Sequence, residues 1–376
     1  MIRMNRPLHV IAWIHHGLGD VIMALPMLVS LDHQLPEGSR LTVLVKSVNE
    51  ERLLQLVPWR CRVEYVNLGH YGTWDYRAVL RVGLMLRSRF PDVFIAPHAS
   101  AGPLPPLFAR LVGAPLSVGP KGPWRGLGFN HEVPQVLYQH KVEYYGEFAR
   151  QVGLMGPLTT RIEITIREPE EQAAAQLLNV EGQNASRWII LAPGSSPVEI
   201  HKRWPAVRYR NLIERLGSLD SALRIALFGS PSEMPLLKEL AAFIPSGRGR
   251  IIAQPNIELS LALLRRAALL VCGCTGAGHL GALAGTRILG IYGPTNPNVT
   301  APFTPQFRLL RQNYACAPCY RPGFEHGCGT PVCMTDITVD QVMFAIQAVL
   351  RDEPAQKMPQ LATTKATYPV RNTGVA

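Results

Sequence analysis

LLVCGCTGAGHLGALAGTRILGIYGPTNP, residues 269–297, is the stretch whose reading decides the fold. Leu269, Leu270 and Val271 form a short apolar run, the pattern of a strand buried on both faces. Small residues from Cys272 to Gly278 make a turn, and Ala277 to Ala284 reads as a helix able to pack close to a sheet. Arg287 to Tyr292 reads as the next strand, broken by GPTNP. Strand, glycine turn, helix, strand is one βαβ unit, with its turn at the carboxyl end of a parallel sheet. Free backbone N–H groups and the positive end of a helix dipole can hold a phosphate there. Gly276 and Gly278 allow close backbone approach, and His279 lies about one turn into the helix. The turn alone reads equally well as a tight connection carrying a core histidine, because short glycine motifs are weak signals.

The chain has 376 residues, enough for two domains, and its 47% hydrophobic content supports a sizeable core. No apolar run reaches membrane-span length. The N-terminal MIRMNRPLHVIAWIHHGLGD has basic residues and a short apolar run, but no long apolar core with a small-residue cleavage site follows. It reads as a buried first strand of a cytoplasmic protein. The net charge of +11 suits an anionic partner. No lysine/arginine block or zinc-finger pattern points to nucleic acid, and the clusters Arg81–Arg89 and Arg248–Arg250 read as solvated faces.

Working outward, strands are expected at 8–14, 41–45, 63–66 and 92–96, with helices at 21–31, 49–57, 76–87 and 103–112 between them. Residues 115–139 are rich in Gly and Pro and read as loops; 140–152 reads as a helix closing this half. After a linker around 156–186, a second half starts with the strand WIILAP at 188–193. Strands at 223–228 and 251–252 and helices at 206–216, 231–243 and 259–267 lead into the opening unit, and 339–350 is a final helix. The domains are therefore 1–160 and 186–337, followed by the helix region 338–351 and a polar tail, 352–376, expected to be disordered.

Each strand end carries a candidate. Gly17-Leu18-Gly19-Asp20 puts a carboxylate at a helix start, either as an ordinary N-cap or as a general base. His201-Lys202-Arg203-Trp204-Pro205 offers three basic residues after a GSSP turn, suited to a diphosphate or simply a basic surface loop. Glu233 could accept hydrogen bonds from a ribose or cap a helix.

GLGDVIMALP (17–26), HKRWP (201–205), FGSPSE (228–233), CTGAGHLGALAG (274–285) and YGPTNP (292–297) occur in this order, one per strand end. Together they resemble glycosyltransferase family 9, the lipopolysaccharide heptosyltransferases, over most of residues 8–350. The resemblance implies an α/β GT-B fold, two Rossmann-like domains facing a central cleft, with the acceptor on the N-terminal domain and the nucleotide sugar on the other. It implies an inverting enzyme using ADP-heptose and needing no cofactor for catalysis. By it Asp20 is the base and Lys202 meets the donor phosphate. Glu233 lies near the ribose, and Thr275, Gly276, Ala277 and His279 form the donor turn.

Two departures stand out. The family usually has an aspartate before Thr-Gly, where this chain has Cys274. It often has an arginine or lysine ahead of Gly-Asp, where this chain has Ile14-His15-His16, leaving His15 and His16 as candidate acceptor contacts. Cys316, Cys319, Cys328 and Cys333 form C-x2-C-x8-C-x4-C on a Pro/Gly-rich loop. Four such thiolates could hold a structural zinc or iron, or stay reduced without metal; disulfides are not expected in the cytoplasm. The expected partners are a nucleotide-diphosphate sugar and an anionic glycolipid of the cell envelope, with peripheral contact at the inner membrane and no nucleic acid. Two alternatives keep the fold: an enzyme with a protein acceptor, and a nucleotide-sugar-binding module without catalysis.

Overall fold

The computed structural model describes residues 5–14, 17–71, 76–97, 103–123, 126–178, 187–253, 256–320, 328–329 and 331–351. The chain divides into two units, Met1–Ala174 with Pro255–Ala262, and Ala175–Gln254 with Leu263–Ala376. His15, His16 and the tail from residue 352 lie outside the described residues.

The first unit is built on six parallel strands: β1 (His9–Trp13), β2 (Arg40–Val45), β3 (Arg62–Asn67), β4 (Val93–Ile95), β5 (Leu116–Pro120) and β6 (His131–Val133). Their order is β3-β2-β1-β4-β5-β6. The second unit repeats the plan with β7 (Arg187–Ala192), β8 (Leu223–Gly229), β9 (Gly249–Ala253), β10 (Leu269–Cys272), β11 (Ile288–Tyr292) and β12 (Phe307–Arg311). Here the order is β12-β11-β10-β7-β8-β9, again all parallel. Each is a doubly wound Rossmann-like sheet, so the strand order reverses between β1 and β4 and between β7 and β10. Ligands of such sheets bind beyond the carboxyl ends of the strands at that reversal.

Helices cover the sheets because the strands are apolar on both faces. In the first unit Ile11, Leu44 and Phe94 pack with Phe108 of the helix Leu104–Val112. Trp13 lies 4.8 Å from the Phe108 ring. In the second, Trp204 and Tyr209 join Ile189, Leu191, Val271 and Ile291 in one core. Trp204 is fixed further, since its indole N–H donates to the Ile337 carbonyl at 2.9 Å.

Three regions differ from the sequence reading. Residues 115–139 are not all loop: they hold β5 and β6. Gly119 on β5 acts as a packing position, because a Cβ there would meet the Phe129 ring at 2.2 Å. The expected linker contains a helix, Glu168–Leu178. β12 (FRLLR) is an edge strand, half-exposed and interrupted by arginines, so it lacks the continuous apolar run of the inner strands.

Candidate functional site

In the first unit the helix Leu18–Gln34 follows β1 directly. Gly17 is its N-cap residue, extended at φ −89° and ψ 167°, and Asp20 is its third residue, donating its amide to the Gly17 carbonyl at 2.9 Å. Asp20 is therefore not the cap. Its Oδ1 receives the Lys141 ammonium at 2.7 Å, and the pair is open enough to be reached, at 21% and 28% side-chain exposure. Lys141 opens the helix Lys141–Val152, which packs against the helix Leu18–Gln34. Nothing in the spacing marks Lys141, which is 121 residues away.

In the second unit the turns after β7 and β10 are neighbours, since Ala192 pairs with Cys272. Lys202 ends a 3-10 turn, Pro197–Lys202, and its carbonyl would lie 3.3 Å from a Cβ on Gly273. Any larger residue at 273 would press on the Lys202 backbone. The helix Gly276–Ala284 then starts with Thr275 as an extended cap residue whose side chain makes no cap bond. The Thr275 hydroxyl is buried and has no hydrogen-bond partner among the described residues. Thr295 Oγ1, in the turn after β11, is in the same condition and only 3% exposed. The first amides of a helix lack intrahelical partners, so this corner gathers unsatisfied donors.

The glycines of the turn do different jobs. A Cβ at Gly278 would sit 3.0 Å from Pro302 and 3.2 Å from Cys272 Sγ, so Gly278 permits packing. A Cβ at Gly276 would meet no atom within 4 Å. Gly276→Ala should therefore leave thermal stability within about 0.5 kcal/mol, while a ligand seated over the turn would feel the methyl. Titration with ADP should show at least threefold weaker binding at an unchanged melting temperature. Equal affinity would mean that no anion occupies that space. Ala277 is the second residue of this helix, and His279 is buried within its first turn and a half.

The three basic residues of 201–203 divide their work. Arg203 bonds back to Ser195, from Nε to Oγ at 2.9 Å and from Nη2 to the carbonyl at 2.6 Å, and so closes the 193–203 turn. His201 stacks on Tyr320 with centroids 5.9 Å apart. Lys202 pairs with Glu199 at 2.5 Å. Glu233 completes a capping box, its Oε2 receiving the Ser230 amide at 2.7 Å and hydroxyl at 2.8 Å. Its Oε1 lies where a Cβ on Gly194 would be, 1.6 Å away. Glu233 therefore caps its helix next to the β7 turn. Cys274 is half-buried with its Sγ 3.7 Å from Thr300 Oγ1. Burial, and then Cys274 and Cys272, push the Tyr292 hydroxyl well above its ordinary pKa.

The glycosyltransferase family 9 (heptosyltransferase) model matches residues 107–326. The chain belongs to glycosyltransferase family 9. It is a glycosyltransferase of the GT-B fold, as its motifs and α/β pattern had implied. Lipooligosaccharide heptosyltransferase 2 of Haemophilus influenzae is 24% identical over 351 residues, covering 89% of this chain and 96% of that one. A family 9 glycosyltransferase from Veillonella parvula aligns with a TM-score of 0.77 at 19% identity, over 92% of this chain and 98% of that one. The ADP-heptose LPS heptosyltransferase II of E. coli aligns with a TM-score of 0.69 at 20% identity, over 92% and 99%. Residues 107–326 include β7, β10 and β11, so the turns that follow these strands in this family 9 chain lie inside the matched region.

Two of the four clustered cysteines hold their protons more tightly than a free thiol. Cys333 is pushed up to about 11 by burial and then by Cys319, Cys316 and Cys328, and Cys319 is raised by burial and then by Cys328 and Cys316. Among the described residues, however, no group of three or more His, Cys, Asp or Glu side chains is placed to hold a metal ion. Among the same residues no helix is long and apolar enough to cross a membrane.

Proposed function

We propose that this family 9 enzyme transfers a heptose from ADP-heptose to the lipopolysaccharide core or another cell-envelope glycan, with inversion at the anomeric carbon. One observation carries the donor half. Lys202, whose backbone carbonyl lies against Gly273, and the start of the Gly276–Ala284 helix bring a basic residue and unsatisfied donors to the strand reversal of the second unit. A diphosphate needs such a corner. In the proposed step Asp20 takes the proton of an acceptor hydroxyl as that oxygen attacks the anomeric carbon. The bond from that carbon to the diphosphate breaks, and the nucleoside diphosphate leaves with the bonding pair. Lys202, the amides of Gly276 and Ala277, and His279 meet the charge that develops on it. Glu233, beside the β7 turn, is the ribose-side residue. The proposed setting is cytoplasmic, at the inner membrane surface, where a basic chain meets an anionic lipid-linked acceptor.

The donor is tested with a panel of ADP-, UDP- and GDP-sugars. Where the family has a carboxylate, Cys274 presents a thiol that accepts hydrogen bonds weakly. Each charged bond lost is worth about 1.5–3 kcal/mol, so the wild type should use ADP-heptose with relaxed sugar selectivity. Cys274→Asp should sharpen that preference about tenfold or more in kcat/KM. Strict wild-type selectivity that Cys274→Asp does not improve would reduce Cys274 to a packing residue.

Cys316, Cys319, Cys328 and Cys333 are proposed to hold one structural zinc or iron. Their residue type and C-x2-C-x8-C-x4-C spacing support this, and no catalytic step is assigned to the ion. Elemental analysis of untagged protein should find about one metal per chain, lost when two of the cysteines become serine. Fully active, metal-free protein would end the proposal.

A further inference from the structure

Two groups hold Lys202, and the proposed reaction gives neither a part. The Lys202 Nζ lies 2.5 Å from Glu199 Oε1 and 3.7 Å from the centroid of the Tyr320 ring. The Tyr320 hydroxyl donates to the same Oε1 at 2.6 Å. The Lys202 side chain is 8% exposed and that of Glu199 22%. Tyr320 reaches this point from 121 residues beyond Glu199. It is fixed there because the Cys319 and Tyr320 amides both donate to the Pro294 carbonyl, at 2.9 Å each, just past β11.

A lysine carries a point charge on a flexible four-carbon stem. Left to itself, the ammonium has many rotamers; the Glu199 carboxylate and the Tyr320 ring select one. The carboxylate takes one of its three donors and the ring face attracts its charge. The other N–H groups are left for an anion. Because Tyr320 also anchors the carboxylate, losing it loosens both contacts at once. The carboxylate itself is ambiguous as a probe: it places the ammonium, yet its negative charge opposes an incoming diphosphate. Tyr320 is uncharged and has no such second effect.

We propose that Glu199 and Tyr320 are positioning residues that fix the Lys202 ammonium for a diphosphate, so that the cysteine-rich segment sets the affinity for a nucleoside diphosphate through Tyr320. This rests on reading Lys202 as the diphosphate's cation.

The test is calorimetry of the full chain with ADP, GDP and UDP. The variants are Lys202→Ala, Tyr320→Leu, Tyr320→Phe and the double variant Lys202→Ala/Tyr320→Leu. Tyr320→Leu removes ring and hydroxyl and should weaken the best-bound nucleotide about tenfold. Tyr320→Phe keeps the ring under the ammonium and should weaken it about threefold. In the Lys202→Ala background, Tyr320→Leu should cost nothing further, since its effect passes through the lysine. Damage to the fold would persist in that background, so an equal loss there overturns the proposal, as does wild-type affinity in Tyr320→Leu. Should Tyr320→Leu fail to fold, Tyr320→Phe decides alone, and unchanged binding counts against the proposal. Wild-type affinity in Lys202→Ala instead overturns the reading of Lys202. A wild-type chain that binds none of the three nucleotides overturns both.

Discussion

Asp20→Asn should lower kcat by about two to four powers of ten and leave the affinity for ADP at its wild-type value. The substitution keeps the shape of the side chain and removes its ability to take a proton. A sugar hydroxyl is a poor nucleophile, so the loss falls on the chemical step. The fold should tolerate the change. An amide oxygen at this position can still accept from Lys141. The Asp20–Lys141 pair is also partly open to water, where ion pairs contribute little to stability. The melting temperature should therefore move by a degree or two at most. The measurement is steady-state transfer alongside ADP calorimetry on the same preparations. An Asn variant that turns over like wild type would remove Asp20 from the chemistry. One that loses ADP affinity would mean that Asp20 serves the donor instead of the acceptor.

Much of this arrangement is legible in the sequence because parallel strands buried on both faces read as unbroken apolar runs. LLVC at 269–272 and RWIILA at 187–192 are such runs, and both are strands at the centre of their sheet. The turns after them are punctuated by Gly and Pro, which is why the five motifs fall at strand ends. The same punctuation misleads where glycine serves packing: Gly119 lies within β5 against Phe129, in a stretch that composition reads as loop. Polarity hides β12, whose arginines sit on a half-exposed edge. Around the candidate site the unread part is pairing. Lys141 and Tyr320 each meet a partner 121 residues away, and no local spacing encodes that. The basic cluster 201–203 looks like three equivalent cations until Arg203 is seen turned onto Ser195. Lys202 is instead held by Glu199 and Tyr320, with its backbone carbonyl against the Gly273 turn.

Lys202→Ala should weaken ADP binding about tenfold or more and lower kcat by about two to three powers of ten, the scale of losing one donor aimed at developing charge. The second effect exceeds the first because the leaving diphosphate carries more negative charge in the transition state than in the bound donor. A cation placed beside it gains strength as the bond breaks. Stability should suffer as well, unlike in Asp20→Asn. Glu199 would lose the ammonium it now holds, with 22% of its side chain exposed. It would keep only the Tyr320 hydroxyl, and losing the charged partner in such a place costs about 1–3 kcal/mol. Lys202→Met separates the two losses. It keeps an unbranched apolar side chain of similar length while removing the charge. Adding Glu199→Gln to Lys202→Met should restore the melting temperature, because the carboxylate left without a cation is then neutral. It should not restore ADP affinity or turnover, because nothing positive has returned to the turn. Recovery of activity in that double variant would show that Lys202 only offsets the charge of Glu199, and that the diphosphate is met by the helix amides alone.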